Sequence, residues 1–459
     1  MAGATITAYA VYLPGYALST TDFRAEAGSG GRRARSVAAH DEDAVTLGVE
    51  AGRRLDGAAR DVPVLHLATS EPPYLDKSSA ATVHAALALP ASVAALDLTG
   101  LRAGAGALRT ALAAGGLAVL ADRRTDAPGA PGELAQGDAA AAFAAGPDGP
   151  IRLLAAASGT VELLDRWRAP GAPHPTVWDE RFTAGILRDR ALDAAARALA
   201  DAGLGRADHV VVACANPRAA AAARAALGGG ADAEVEGLTG YTGAAHLGLL
   251  LADALDRARP GETVLAVNAA DGADAFVFAV GEGLEAARCG PRVRDQLTGR
   301  VPLTYDRYLR WRGLFTVQGP NRPDPAPPAA PPMERRRAWK NALVAVRCTK
   351  CAAVTAPPGR VCAGCGAHDA LRPEPLRDLP CTVVSLTEDL LAVGPDGPTV
   401  QAVVDVEGGG RRSVHVADVP EGGLAVGDVL RPVFRRISST QGVHNYFWKA
   451  RPMEKVRHG

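Results

Sequence analysis

Aromatic side chains are scarce in this chain. Phe, Trp and Tyr make up 5% of its 459 residues, and there are three methionines. A core made from such a sequence closes through small side chains, so helices and sheets must approach one another closely. Charge of one sign is missing too: Lys+Arg and Asp+Glu stand at 50 each. Without a basic excess to track phosphates, nucleic acid is excluded as an expected partner. No run of about 18 apolar residues occurs, so no membrane-spanning helix is expected. The first residues lack a positive n-region and read as an opening β-strand, so no secretory signal is expected. Cysteines number seven, and outside one cluster only Cys214, Cys289 and Cys381 remain, scattered. A disulfide framework is therefore disfavoured, and a cytoplasmic location is expected.

The cluster is Cys348, Cys351, Cys362 and Cys365, in the pattern C-x2-C-x10-C-x2-C. Each close pair fits a tight turn that aims two thiolates at one ion, and four thiolates suit tetrahedral zinc. An iron–sulfur cluster also takes four thiolates. The paired spacing is of the ribbon type and favours structural zinc, closed by four protein ligands and doing no chemistry.

The length implies two or three domains. Residues 319–333 hold seven prolines in fifteen, a composition for extended, semi-rigid polyproline II. This linker divides an Ala-rich region at 1–318 from a zinc ribbon at 334–370 and a small β domain at 371–459. In the last, runs at 381–386, 400–406, 412–416, 429–437 and 444–449 read as five strands with Gly/Asp/Pro turns. That count fits an OB-like barrel.

The first region contains a long-period repeat. After Asp41-Glu42-Asp43, which reads as a helix cap, Leu47, Ala51 and Leu55 share one helix face. A strand (62–67) and the loop Thr69-Ser70-Glu71-Pro72-Pro73 follow. The second copy has a helix at 187–202, a strand at 209–212 and the loop Ala213-Cys214-Ala215-Asn216-Pro217. Leu98-Thr99-Gly100 opens a small-residue helix (103–112) before a strand (117–120). Leu238-Thr239-Gly240 likewise opens a helix (243–255) before a strand (263–267). Gly137-Asp138 parallels Asp271-Gly272, each ahead of an apolar strand, and both aspartates are expected to hold loops. Alternating strands and helices imply parallel sheets buried between helices, duplicated about a pseudo-two-fold axis. Loops of both copies would meet near the centre.

The duplicated half, its two strand–TG–helix elbows and its GD loops resemble the thiolase superfamily, and within it the 3-hydroxy-3-methylglutaryl-CoA synthase-like proteins. Asp41-Glu-Asp-Ala-Val-Thr, Ser70-Glu-Pro-Pro-Tyr-Leu-Asp-Lys and Tyr241-Thr-Gly-Ala-Ala carry the likeness. The ribbon and barrel resemble zinc-ribbon/OB partners encoded beside, or fused to, such proteins. The resemblance implies an α/β fold of the layered α-β-α-β-α type, a homodimer or a heteromer with another thiolase-like chain, and an acyl-CoA or carrier-bound thioester as substrate. It also implies a nucleophilic cysteine at the first-half elbow, where Asp97-Leu-Thr-Gly-Leu-Arg-Ala-Gly instead puts Arg102. An arginine stays protonated and forms no acyl thioester. The expected histidine is replaced by Ala213 or Cys214, and the expected asparagine by Thr239 or Tyr241. Cys214 reads either as a displaced nucleophile or as a buried strand-end thiol. The family's acid/base glutamate falls at Glu71, or with a shifted register at Ser70.

Two functions follow. One is an enzyme making or breaking a C–C bond by aldol-type chemistry, without a cysteine adduct. In it Glu71 or Tyr241 moves the proton, Arg102 at a helix N-terminus stabilises an enolate or carboxylate, and Asn216 orients a water or carbonyl. Some thiolase-like proteins with zinc-ribbon/OB partners are aldolases on CoA thioesters. The other is a non-catalytic acyl-thioester-binding or scaffold protein. A condensing acyltransferase using Cys214 is a third reading.

Overall fold

The computed structural model describes residues 3–19, 34–315 and 325–453. The chain divides into two compact units, one running to Phe315 and one following it, with Ala85–Ala88 grouped in the second.

The first unit is built from two similar halves. The first half contains β1 (Thr5–Tyr12), α1 (Ala44–Arg53), β2 (Val64–Thr69), β3 (Ala94–Thr99), α2 (Ala103–Ala114), β4 (Leu117–Arg123) and β5 (Asp138–Gly146). The second contains β6 (Ile151–Thr160), α3 (Glu180–Asp201), β7 (His209–Cys214), α4 (Pro217–Leu227), α5 (Asp232–Thr239), α6 (His246–Arg257), β8 (Thr263–Ala269) and β9 (Gly272–Val280). The strand order is β7-β8-β9-β6-β1-β5-β4-β2-β3. From the join outward the halves match, β1-β5-β4-β2 against β6-β9-β8-β7, with β3 added in the first, and the halves join where Thr5 and Ile6 of β1 pair with Arg152 and Ile151 of β6.

Two expectations are corrected here. The sheet is mixed: β2 runs parallel to β3 and β4, and β7 to β8, while the other pairings are antiparallel. The second TG elbow does not follow a strand. Leu238-Thr239 ends α5, and this helix stands in the chain order where the first half has β3. Asp232 and Glu234 favour a helix start by opposing its positive end, and both fall in the first turn of α5.

Local chemistry sets the other elements. Asp43 caps α1 by accepting from the N–H groups of Val45 and Thr46, while Thr46 answers with its hydroxyl in a capping box. Helices α2 and α6 contribute to one buried cluster with Tyr9, Phe143, Phe276 and Phe278. Helices α3 and α4 pack alanines on β7, β8 and β9. Small residues let the central helices approach: a Cβ on Gly104 would lie 2.1 Å from the Ala244 carbonyl oxygen.

In the second unit, α7 (Arg337–Ala342) precedes a three-stranded sheet of β10 (Val344–Cys348), β11 (Val354–Thr355) and β12 (Leu371–Pro375). Next come β13 (Cys381–Gly394), β14 (Gly397–Val406), β15 (Arg411–His415), β16 (Val429–Thr440) and β17 (Val443–Pro452), in the order β15-β14-β13-β16-β17. This sheet curls until Val416, just after β15, forms a parallel bridge with Ala450 of β17. The proline-rich stretch is partly helical, because Ala330–Arg335 forms one short turn with prolines in its first positions, where a missing N–H costs least. Residues 319–324 of that stretch lie outside the described residues.

Gly104→Ala is expected to destabilise the first unit by about 1–3 kcal/mol, the usual cost of overpacking. The urea unfolding midpoint should fall. An unchanged midpoint would show that the approach of Gly104 to Ala244 is not a constraint.

Candidate active site

The ends of β2 and β4 and the turn before α6 bring together a buried polar nest. Its centre is Asp122, fully buried near the end of β4. One carboxylate oxygen accepts from the Thr69 hydroxyl at 2.7 Å, the Ser70 N–H at 2.8 Å and the Glu71 N–H at 3.2 Å. The other accepts from the Ser70 hydroxyl at 2.7 Å and the Ala244 N–H at 2.6 Å. The loop of the first half is thereby tied to a turn of the second. Gly243 makes this possible: its φ is +59°, and a Cβ there would sit 1.9 Å from Asp122 Oδ2.

Glu71 is held at the edge of this nest by two guanidinium groups. Arg124 Nη1 lies 3.0 Å from Glu71 Oε1, and Arg168 Nη1 lies 3.5 Å from the same oxygen. Arg124 is itself buried, with Nε donating to Gln136 at 2.8 Å and Nη1 to the Ser70 hydroxyl at 2.5 Å. Arg168 also donates to the Ser70 carbonyl at 2.9 Å. Burial raises the Glu71 carboxyl above its ordinary range, against the pull of Arg124 and Arg168. Relative to the unfolded chain, the fold thus shifts this group toward its acid form. Its contribution to stability is complete below the ordinary value of 4.5 and is lost as pH rises through the raised one.

Tyr241 is an electrostatic neighbour of Arg124 and Asp122. Its N–H donates to the Ala135 carbonyl at 2.7 Å, and its carbonyl accepts from the Gly137 N–H at 3.0 Å. Its phenol is buried without a hydrogen-bond partner. Burial raises its pKa, and its electrostatic neighbours include Cys214, Arg124, Asp122 and Arg166. His246, ring to ring with Tyr241 at 4.7 Å, is buried and held neutral, its pKa pushed down to about 3 by burial. Its Nδ1 accepts from the Thr242 N–H at 3.2 Å. It reads as the hydrogen-bonded core histidine that its apolar helix suggests.

The other two expected site residues have other work. Arg102 directly precedes α2. Its Nε donates to Asp274 at 2.7 Å, Nη1 to Thr160 and the Asp271 carbonyl at 2.9 Å each, and Nη2 to the Gly159 carbonyl at 3.2 Å and Asp274 at 3.3 Å. All five N–H donors are committed to protein acceptors, leaving none for an enolate. Asn216 caps α4, its oxygen accepting from Arg218 and Ala219 at 3.1 Å each. Its amide donates to the Glu180 carbonyl at 2.8 Å and to Thr183 at 3.3 Å. Nothing is left over to orient a water or a substrate carbonyl. Cys214 is buried at the end of β7, and burial pushes its thiol up to about 12, which disfavours the nucleophilic thiolate.

Asp122, Arg124 and Arg168 escape a sequence reading. Asp122-Arg123-Arg124 ends an apolar strand and looks like a solvated turn. The one available signal is charge that follows a buried strand with no intervening Gly or Pro. Asp138 does hold its loop: it accepts from the Ala38 N–H at 2.6 Å and the Arg124 N–H at 2.8 Å, and pairs with Arg312.

In the second unit the four expected thiols converge. Their sulfurs all lie within 4.8 Å of one another. Cys348 and Cys365 are 3.7 Å apart, and Cys351 and Cys362 are 3.5 Å apart. Backbone N–H groups of Lys350 and Gly364 point at Cys348 and Cys362 at 3.4 and 3.3 Å.

Known proteins share the first unit's architecture. An HMG-CoA synthase solved with CoA superposes with a TM-score of 0.59 at 18% identity, covering 68% of this chain and 90% of its own. The synthase MvaS solved with 3-hydroxy-3-methylglutaryl coenzyme A gives 0.57 at 20%, covering 71% and 95%. The fold is therefore that of the thiolase-like synthases. In sequence, the hydroxymethylglutaryl-CoA synthase of Methanopyrus kandleri is 31% identical over 344 residues, 67% of this chain and 96% of that protein. That of Pyrobaculum aerophilum is 29% identical over 347 residues, 68% of this chain and 98% of its own length. No protein-family profile matches the chain. The chain belongs to the hydroxymethylglutaryl-CoA synthase family. Among the described residues, no helix is long and apolar enough to cross a membrane.

The titration of Glu71 tests this geometry. In protein carrying carbon-13-labelled glutamate, its carboxyl should titrate above 4.5. In Arg168→Gln it should titrate higher still, because a cation that favours the carboxylate is gone. An unshifted or lower value in the variant would contradict the clamp.

Proposed function

We propose that the first unit is an enzyme acting on acyl-CoA or carrier-bound thioesters, and that it makes or breaks a C–C bond by aldol-type chemistry without a cysteine adduct. The observation that carries this reading is a carboxylic acid held between two arginines, one of which, Arg124, is also an electrostatic neighbour of a phenol whose hydroxyl has no partner. Arg102 stands where the resemblance expects the cysteine, and Cys214 is a poor thiolate. Glu71 takes a proton from the carbon next to the thioester, and negative charge develops on the thioester oxygen. The Tyr241 hydroxyl and the Arg168 guanidinium supply donors for that oxygen. The enolate attacks a carbonyl of the second reactant, and Glu71 returns its proton to the new alkoxide. In reverse, Glu71 takes the hydroxyl proton, the C–C bond breaks, and the proton returns to carbon. Arg102 acts as a positioning residue, locking α2 against β6 and β9 through Thr160 and Asp274. The substrate class is supported by relatives solved with CoA and, in a curacin pathway HMG synthase, with an acetyl donor-ACP.

We assign the four-cysteine site to structural zinc. Tetrahedral Zn–S bonds of about 2.3 Å separate sulfurs by about 3.8 Å, close to the distances between Cys348 and Cys365 and between Cys351 and Cys362. The five-stranded sheet we assign to an OB-like barrel, because its first strand pairs with the second and fourth and its third approaches the fifth in parallel. A homodimer is part of the same reading: β3 is an outer strand with Leu96 51% exposed, which fits sheet pairing with a second copy.

Incubated with a panel of β-hydroxyacyl-CoA thioesters, the protein should cleave at least one. Glu71→Gln should lose about 10²–10⁴-fold in kcat, and intact-mass measurement during turnover should show no acyl adduct. Absence of C–C chemistry across the panel would favour the scaffold reading, and an adduct on Cys214 the acyltransferase one. Elemental analysis should find one zinc per chain, lost in Cys362→Ser together with thermal stability. Stoichiometric iron, or a metal-free protein of equal stability, would overturn the zinc assignment.

A further inference from the structure

The five-stranded sheet of the second unit holds a buried cation that no described residue neutralises. Arg412, on β15, is 6% exposed, and its Nε, Nη1 and Nη2 are all buried without a hydrogen-bond partner. Its guanidinium carbon lies 6.0 Å from the centre of the Trp339 ring on α7. The nearby ionisable group is the Cys381 thiol, which burial keeps in its neutral form. Burial lowers the arginine's own pKa to about 10, so it remains charged at neutral pH. Lys340, on the same helix as Trp339, is likewise without a carboxylate partner among the described residues. Its ammonium donates to the Asn445 side-chain oxygen and to the Tyr446 carbonyl at 2.8 Å, both neutral.

Ordinary packing does not account for this. Buried charges in native proteins are paired, and one left alone costs several kcal/mol. A ring face compensates only part of that. A water would satisfy an N–H but not the charge. What fits five N–H donors in a planar fork is an oxyanion with two or more oxygens.

We propose that the second unit binds an oxyanion, a phosphate or a carboxylate, at Arg412 beneath α7, with Trp339 forming one wall. The site belongs to the second unit, and the proposal does not depend on the reaction proposed for the first. Helix α7 serves as its cover. It is held to β17 by Lys340 and by the Trp448 indole, which donates to the Asn341 carbonyl at 2.7 Å.

Calorimetric titration of the full chain tests this, with inorganic phosphate, acetate and CoA in separate arms at constant ionic strength. One site per chain is expected, together with a rise of several degrees in melting midpoint at saturation. A CoA response that Arg412→Met removes, where phosphate is silent, assigns a nucleotide phosphate; a CoA response that survives in that variant belongs to the first unit. Binding of phosphate assigns the free ion, and of acetate alone a carboxylate. Arg412→Met should abolish the response and, in anion-free buffer, melt no lower than the parent, since it removes an uncompensated charge. Arg412→Lys, which keeps the charge but loses the fork, should weaken the response at least tenfold and serves if the methionine variant fails to fold. The proposal is overturned if no arm binds the parent, if chloride gives the same shift, or if both variants keep it.

Discussion

One buried carboxylate fixes the geometry of the candidate active site. Asp122 gathers five hydrogen bonds from Thr69, Ser70, Glu71 and Ala244. Two of these partners belong to different halves of the duplicated fold, so the carboxylate clamps the halves together where their strands end. Donors on both carboxylate oxygens fix the orientation of the group. Its rigidity passes to Glu71, whose own N–H is among the donors. The glycine at 243 then becomes obligatory, because any side chain would collide with Asp122. The Arg124 guanidinium completes the arrangement by bridging Ser70, Gln136 and Glu71.

The repeat explains why such a nest can exist. Two copies of one α/β unit place equivalent loops on the same side of the joined sheets, and β1 with β6 stitches the copies together. In the second copy α5 takes the place in chain order that the outer strand β3 has in the first, so the two ends of the sheet differ. At the first-half end an outer strand remains exposed. At the other, Asp232 of α5 accepts from Arg224 at 2.7 Å and from the Val212 N–H at 3.1 Å, locking the helix against β7.

Much of the framework was legible from residue order. The Asp43 cap, the small-residue helices and the apolar strands follow from periodicity and capping rules, and the four-cysteine spacing led directly to converged sulfurs. What escaped was long-range. Arg102 has the right position for an anion contact, but Asp274, 172 residues away, takes its donors. Asn216 sits in a loop that could serve catalysis, and the start of α4 uses it as a cap. Asp122 and Arg124 look like turn charges because nothing local reveals that Ser70, Gln136 and Ala244 fold over them. The Leu-Thr-Gly elbow of the second half looked like its first-half counterpart, yet the acidic residues before it begin a helix.

Glu71 and Tyr241 share Arg124 and Asp122 as electrostatic neighbours, and the functional reading depends on that shared setting. A base held between two cations can take a proton from carbon only if the neighbouring groups hold the charge that develops. Proton exchange at the carbon next to an acyl-CoA thioester, followed by NMR in deuterated water, tests that directly. The parent protein should wash deuterium into that carbon at a rate that Glu71→Gln loses, with no change in thioester content. Exchange that persists undiminished in Glu71→Gln, or none at all with the parent, would contradict the account.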